Sequence, residues 1–285
     1  MNRFQTINWI DTKIDLNVLM QAATDNSRHP VNQGFEAEVA KFHTEGEAFV
    51  LKVWNQSSKP DVRFQYHLLD RLKQHGIKVP APLGWGLDVE ENQVLLTSDN
   101  GSPVSDLTKD NIVEMARILS SIHRLTKEEI GVLQVPAYHF MDYFFSDIHK
   151  HSDLAQLLET LTQVAQPKQS ALIHGDYHFQ NIVQQDGQFT VIDWTNAQWG
   201  DARYDFAWAY LLLYLYVSEE LAEAFRSAYL TEKAMSELES FEALACLRWE
   251  LLHRHDGVPI LTNTKKRKAK FLKQNSFLKD ILLFL

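Results

Sequence analysis

One cysteine, Cys246, in 285 residues excludes an internal disulfide framework and a cysteine-rich zinc site, and its place in an apolar helical run marks a buried thiol. Positive charge is also in short supply. Lys and Arg total 28 against 37 Asp and Glu, a formal charge of -9, which excludes a general nucleic-acid binder, whose footprint should be basic. The longest apolar run, residues 206–217, is about twelve residues and is broken by three tyrosines and a tryptophan, too short to span a bilayer, so it is expected to be a core helix without stable membrane insertion. The opening MNRFQTINWIDTK has no basic segment followed by a long apolar run, so no signal peptide is expected and the location should be cytoplasmic. What is there, 45% apolar and 23% charged residues, is ordinary for a globular chain long enough for one large core or two lobes.

The most informative stretch is LIHGDYHFQNIVQQDGQFTVIDW, residues 172–194. Leu172-Ile173, Ile182-Val183 and the run Phe189, Val191, Ile192 read as short strands, with a turn at Asp186-Gly187. Between them lie His174, Asp176, His178 and Asn181, and the last strand delivers Asp193. One carboxylate that can serve as a base, together with an Asn and an Asp as oxygen ligands for magnesium, is one reading of this pattern. The other is a hydrogen-bonded polar loop with Asp193 capping a following helix.

HGDYHFQN at 174–181, followed by IDW at 192–194, resembles the signature of the aminoglycoside phosphotransferase and choline kinase superfamily. GDARYDFA at 200–207 is similar to that family's G-D-P-x-x-D-L-A stretch, with Ala202 for Pro and Phe206 for Leu. The resemblance is strongest from about Ala171 to Ala209. It implies an α+β, two-lobed, protein-kinase-like fold: a small antiparallel-sheet lobe that binds nucleotide (1–98), a larger, mainly helical lobe for catalysis and acceptor binding (99–285), and a hinge at about 97–103. It also implies Asp176 as base, Asn181 and Asp193 as magnesium ligands, His174 orienting the loop and His178 bracing the base or approaching the acceptor.

Earlier in the chain, residues 8–24 read as a helix, residues 29–39 as two strands about a Gln33-Gly34 turn, and FVLKVW within 48–54 as a strand. Alternation puts Phe49, Leu51 and Val53 on one face and Lys52 on the other, as an edge charge or a phosphate-facing ammonium. The resemblance implies the second, with ATP as the nucleotide. It also exposes two departures. Only Gly34 stands where a glycine-bearing phosphate loop is usual, with Glu36 and Glu38 expected to turn outward. Gln65 stands where the family has the glutamate that pairs with the strand lysine, so either an acidic residue such as Asp61 substitutes or Lys52 is oriented chiefly by phosphate. Adenine contacts are implied at the hinge, Ser98, Asp99, Asn100 and Gly101.

Farther on, a helix is expected over 107–125 with Ser105 and Asp106 near its start and His123 as a structural residue. A helix over 143–165 should be interrupted at HKHSD. Asp205 is expected to cap or anchor the helix 206–216, Asp201 to brace the preceding loop, and Arg203 to offset their charge. Two helices follow, with Ser218 and Thr231 as caps, and the basic KKRKAKFLK segment should be a terminal helix laying its apolar face on the large lobe.

The implied activity is transfer of the terminal phosphoryl of ATP, with Mg2+, to a hydroxyl of a small molecule: an amino alcohol, sugar, nucleoside or aminoglycoside-like acceptor. Trp194, Trp199, Trp208, Trp249, Tyr138, Tyr143, Glu250 and Asp256 are candidates for meeting a cationic acceptor, or are core. The alternatives are a kinase-like nucleotide-binding protein that acts through a partner with little catalysis, and a protein serine kinase. The latter is disfavoured by the short span between Asp193 and Gly200.

Overall fold

The computed structural model describes residues 3–15, 29–31, 37–43, 46–56, 58, 60–233, 235–255 and 257–279. The chain divides into two compact units. The first comprises Met1–Pro103, Glu128–Gln134 and Ile182–Thr195; the second comprises Val104–Lys127, Val135–Asn181 and Asn196–Leu285.

The first unit is built on an antiparallel sheet in the order β1-β5-β6-β4-β3-β2. Its strands are β1 (Asn8–Thr12), β2 (His29–Val31), β3 (Glu38–His43), β4 (Ala48–Trp54), β5 (Pro82–Leu87) and β6 (Gln93–Ser98). On β4 the expected alternation holds: Phe49, Leu51 and Val53 join Phe42, Val94 and Leu96 in the core, while Lys52 lies on the other face. Residues 8–12 are not helical as expected; they pair with β5, whose edge supplies backbone partners that a marginal helix there could not match. The rest of that expected helix, from residue 16, and the Gln33-Gly34 turn lie outside the described residues. Helix α1 (Val62–Gln74) is capped by Asp61, which accepts from Phe64 N at 2.9 Å, and buries Leu68, Leu69 and Leu72.

A second small sheet joins β7 (Ser102–Pro103) to the hairpin β9 (Ile182–Gln185) and β10 (Gln188–Val191). Its turn has Asp186 and Gly187 both at positive φ, 49° and 78°, the backbone that a tight two-residue hairpin needs. Val191 N donates to Lys78 O at 2.9 Å, which fixes the hairpin's end in this unit.

The second unit is mainly helical: α2 (Lys109–Arg124), α3 (Ser152–Ala165), α4 (Ala202–Tyr216), α5 (Glu219–Glu232), α6 (Leu238–Arg254) and α7 (Thr264–Gln274), with the short pair β8 (Ala171–Ile173) and β11 (Gln198–Gly200). Helix α2 is capped by Thr108, which accepts from Asn111 N, so it starts just after the expected 107; Asp106, near its start, accepts from the Asn111 side chain through its carbonyl. Ser218 caps α5 as expected, but Thr231 lies inside that helix with its hydroxyl on Ser227 O and caps nothing. Helix α4 is buried nearly all round, so it is the unit's central element. Helix α7 buries Phe271 and Leu272, so its apolar face covers the unit as expected, and Lys268 and Lys270 pair with Glu250 and Glu219. Among the described residues, no helix is long and apolar enough to cross a membrane.

Candidate active site

The 172–194 stretch divides between the units at Asn181 and Ile182, so the loop with His174 and Asp176 belongs to the second and Asp193 to the first.

In the second unit the loop leaves β8 and turns at Gly175, whose φ of +79° and position, with a Cβ 2.6 Å from Asn196 O, admit no side chain. The loop's backbone is anchored by Asp205 of α4, which is fully buried. Its Oδ2 accepts from His174 N at 2.8 Å and from His123 Nε2 at 3.1 Å, and its Oδ1 accepts from Gly175 N at 3.0 Å. The expected roles of the two aspartates are therefore exchanged. Asp201 caps α4, accepting from Arg203 N at 2.9 Å, and also accepts from Lys168 N at 2.9 Å, while Asp205 holds the loop. Arg203 pairs with Asp201 at 2.8 Å, the compensation expected of it. Burial pushes the Asp205 carboxyl up, but the His123 hydrogen bond, the electrostatic pull of the His123 and His174 rings and the hydrogen bond from the His174 amide outweigh it and hold it below the ordinary range.

Burial holds His123 below its usual value, against the pull of Asp205, so the ring is neutral. It donates from Nε2 to Asp205 and accepts at Nδ1 from Tyr229 OH at 2.6 Å, which makes it structural, as expected. This fixes the sign of a pH effect. As pH falls below about 6.5, the ordinary value for histidine, the unfolded chain gains a proton that the folded ring resists, and stability falls by up to about 1.4 kcal/mol per pH unit. Asp205, depressed in the fold, adds to the loss only at about pH 4 and below. Urea titrations between pH 7.5 and 5 should show this slope in the wild type and a shallower one in His123→Gln.

Asp176 follows the anchor. Its Oδ1 accepts from Trp208 Nε1 at 2.8 Å and lies 3.9 Å from Arg248 Nη2, and its Oδ2 is 3.5 Å from His178 Nε2 and from Asn181 Nδ2. Its amide donates to His174 Nδ1 at 3.3 Å, and its carbonyl accepts from Asn181 Nδ2 at 2.9 Å. Burial pushes the carboxyl up; the hydrogen bond and electrostatic pull of His178, then the electrostatic pull of Arg248 and His174, outweigh it and hold Asp176 ionised well below the ordinary carboxylate range. The loop thus brings together His174, Asp176, His178 and Asn181. Sequence reasoning missed Trp208 and Arg248 as partners of Asp176. Trp208 lies one helical turn after Asp205 and could have been placed on the same face; Arg248 has no local signal at all.

In the first unit, Lys52 Nζ lies 3.4 Å from Asp193 Oδ1, which also accepts from Thr195 Oγ1 at 2.9 Å. Asp193 has φ +65°, a left-handed backbone that a β-carbon makes costly and that holds its carboxylate at the end of the hairpin strand. The next long helix, α4, is capped by Asp201, not by Asp193. Gln65 is buried on α1, and its Nε2 has no hydrogen-bond partner among the described residues. Asp61, a possible substitute, is committed to the α1 cap. At Ser98 to Gly101 the chain is tied internally. Lys41 Nζ meets the Asp99 carboxylate at 2.9 Å and Gly101 O at 3.0 Å, Asp99 N donates to Ala48 O, and Ser98 Oγ donates to Asn100 Oδ1 at 2.7 Å. Gly101 has φ +105°, and a Cβ there would stand 2.2 Å from Gln184 O. Gly34 lies outside the described residues.

Of the aromatic candidates, Trp194, Trp199 and Trp249 are buried, the last with its Nε1 on Tyr216 OH, and Glu250 is paired with Arg254 and Lys268. Tyr138 and Tyr143 stack at 4.6 Å with Tyr138 exposed; Asp256 lies outside the described residues.

An antiparallel-sheet unit with a strand lysine beside a hairpin-end aspartate, and a helical unit with an anchored carboxylate loop, make up a protein-kinase-like phosphotransferase fold. Residues 27–244 match the model of the phosphotransferase enzyme family, and the chain belongs to that family. No curated protein sequence matches it. Amicoumacin kinase, solved with AMP-PNP, Ca2+ and Ami, is similar over 90% of this chain and 89% of its own, with 15% identity and a TM-score of 0.64. Aminoglycoside phosphotransferase APH(4)-Ia, in a thermostable mutant form with AMP-PNP and hygromycin B, matches over 90% and 93%, with 17% identity and a TM-score of 0.62. The choline kinase of Streptococcus pneumoniae matches over 87% and 92%, with 17% identity and a TM-score of 0.59. At these identities the likeness is one of fold.

Proposed function

We propose that the protein transfers the terminal phosphoryl of ATP, with Mg2+, to a hydroxyl of a small molecule. The observation that carries this reading is the Asp176 carboxylate: ionised, hydrogen-bonded by Trp208 and set in a loop whose backbone is held by the buried Asp205. A carboxylate held in this way can take the proton of an attacking hydroxyl. Family membership supports phosphoryl transfer, and the solved relatives, one bound to hygromycin B, one an amicoumacin kinase and one a choline kinase, support a small acceptor.

In this reading Lys52 meets the nucleotide's phosphates, Asn181 and Asp193 supply oxygen ligands to magnesium, His174 orients the loop through the Asp176 amide, and His178 braces the base. The donor set fits the metal. Magnesium favours oxygen and is held by one or two protein ligands together with substrate phosphates. Among the described residues, no group of three or more His, Cys, Asp or Glu forms a protein-only cage. When bound, the cation would neutralise charge on the phosphates. Residues 1–98 would carry the nucleotide, with the adenine at 98–101, and residues 99–285 the acceptor.

A second reading, a nucleotide-binding protein with little turnover, draws on Gln65, whose buried Nε2 has no hydrogen-bond partner among the described residues and whose neutral amide cannot balance the charge of Lys52. Calorimetric titration of ATP with and without Mg2+, followed by an ATP-consumption screen over amino alcohols, sugars, nucleosides and aminoglycosides, separates the two. Turnover on any acceptor supports the kinase; magnesium-dependent binding with no turnover supports the second reading. In the same titration, Lys52→Ala is expected to weaken ATP binding by about tenfold or more, the loss of one charge-assisted contact to phosphate.

A further inference from the structure

Two residues outside the expected site converge on one oxygen of Asp176. Trp208 Nε1 donates to Oδ1 at 2.8 Å, and the guanidinium of Arg248 stands 3.9 Å from the same atom. Arg248 is itself locked in place: Nη1 donates to Gly175 O at 3.0 Å, and its Cζ lies 4.3 Å from the centre of the Trp208 ring and 4.9 Å from that of Phe144. Trp208 is 3% exposed and follows Asp205 by one turn of α4, so the helix that holds the loop's backbone also aims its carboxylate. The other oxygen, Oδ2, meets His178 Nε2 and Asn181 Nδ2 at 3.5 Å, longer and weaker contacts than the 2.8 Å bond from Trp208 to Oδ1.

We infer that Trp208 and Arg248 are positioning residues: they fix Oδ1 and leave Oδ2 as the oxygen that receives the acceptor's proton. This rests on the phosphotransferase reading. In the step it serves, the acceptor oxygen forms its bond to the terminal phosphorus. The bond from that phosphorus to the bridging oxygen breaks, its electron pair leaves with ADP, and the hydroxyl proton passes to Oδ2. A carboxylate free to turn would offer either oxygen in many orientations, and catalysis that depends on aligned groups loses rate when a group is free to wander. A buried indole N–H needs some acceptor, and Trp249 finds a tyrosine hydroxyl. Trp208 is instead joined to the reacting carboxylate and lies against the arginine that faces the same oxygen.

The test is a double-mutant cycle in kcat. Trp208→Phe keeps the ring against Arg248 and removes the donor; it is expected to lower kcat about 10- to 100-fold, with KM for ATP changed by less than about twofold. In an Asp176→Asn background the same substitution should lower kcat by less than about twofold, because the group it positions no longer acts as a base. Arg248→Lys, which keeps the charge, should retain more activity than Arg248→Met. A wild-type kcat in Trp208→Phe, or an equal loss in both backgrounds, overturns the inference while leaving the phosphotransferase reading intact. The Trp208 indole 15N–1H resonance, assigned from the spectrum of Trp208→Phe, reads the contact without turnover. It should move in Asp176→Asn, and a resonance that stays in place overturns the contact. If it moves but no acceptor is phosphorylated by the wild type, the phosphotransferase reading fails and the positioning role fails with it.

Discussion

Asp176→Asn is expected to lower kcat by about 10²- to 10⁴-fold while leaving ATP affinity within about twofold, measured by steady-state kinetics on the best acceptor and by calorimetry. The amide is close in shape to the carboxylate, and its oxygen can still accept from Trp208, so the loop should keep its course; what is lost is the proton-accepting oxygen. One side effect has to be separated from the chemistry. Arg248 lies close to Asp176 and is largely buried, so neutralising the acid removes part of its compensation and should cost some stability. A kcat loss that persists at temperatures where the variant is fully folded belongs to the base. An unchanged kcat would mean that another group takes the proton or that none is needed.

The second large effect is on the fold. Asp205→Ala deletes a fully buried carboxylate that accepts from His174 N, Gly175 N and His123, and it leaves those three donors without their partner. Breaking such a buried network costs about 3–5 kcal/mol, a large share of the roughly 5–15 kcal/mol that holds an ordinary domain together. Asp205→Asn should fare little better. Its two side-chain atoms would have to face donors on both sides, and one of them is itself an N–H group. Equilibrium urea unfolding measures both variants; a cost below about 1 kcal/mol for Asp205→Ala would show that the loop does not depend on this anchor. Because the anchored residues lead directly into Asp176, folded Asp205 variants should also lose activity on the best acceptor.

What could be read in the sequence was local. β4 alternates as FVLKVW suggests, the Asp186-Gly187 turn forms, and His174, Asp176, His178 and Asn181 gather because they lie within one short loop. What could not be read depends on residues far apart in the chain. Residues 8–12 became a strand because β5 is there to pair with, which no local propensity encodes. Asp201 and Asp205 both precede or begin a helix, so composition could not tell which would cap it; the folded chain brings the 174–175 amides to Asp205 and leaves the cap to Asp201. Arg248 reaches Asp176 from 72 positions away, and Trp208 reads in sequence as one more apolar residue of a core helix. The bonds that aim the carboxylate are tertiary, whereas the motif that contains it is not.

The central claim is transfer of a phosphoryl group from ATP to a small hydroxyl compound, and it is tested most directly by following the phosphate itself. ATP carrying 18O on the non-bridging oxygens of its terminal phosphoryl is incubated with the protein, Mg2+ and pooled candidate acceptors, and the label is traced by mass spectrometry. The account predicts that the label appears on a hydroxyl of one acceptor class, with ADP formed in equal amount, and that both vanish without Mg2+ and fall at least about 10²-fold in Asp176→Asn. Release of the label to water alone, unchanged in Asp176→Asn, or binding of ATP with no label transferred, would contradict it.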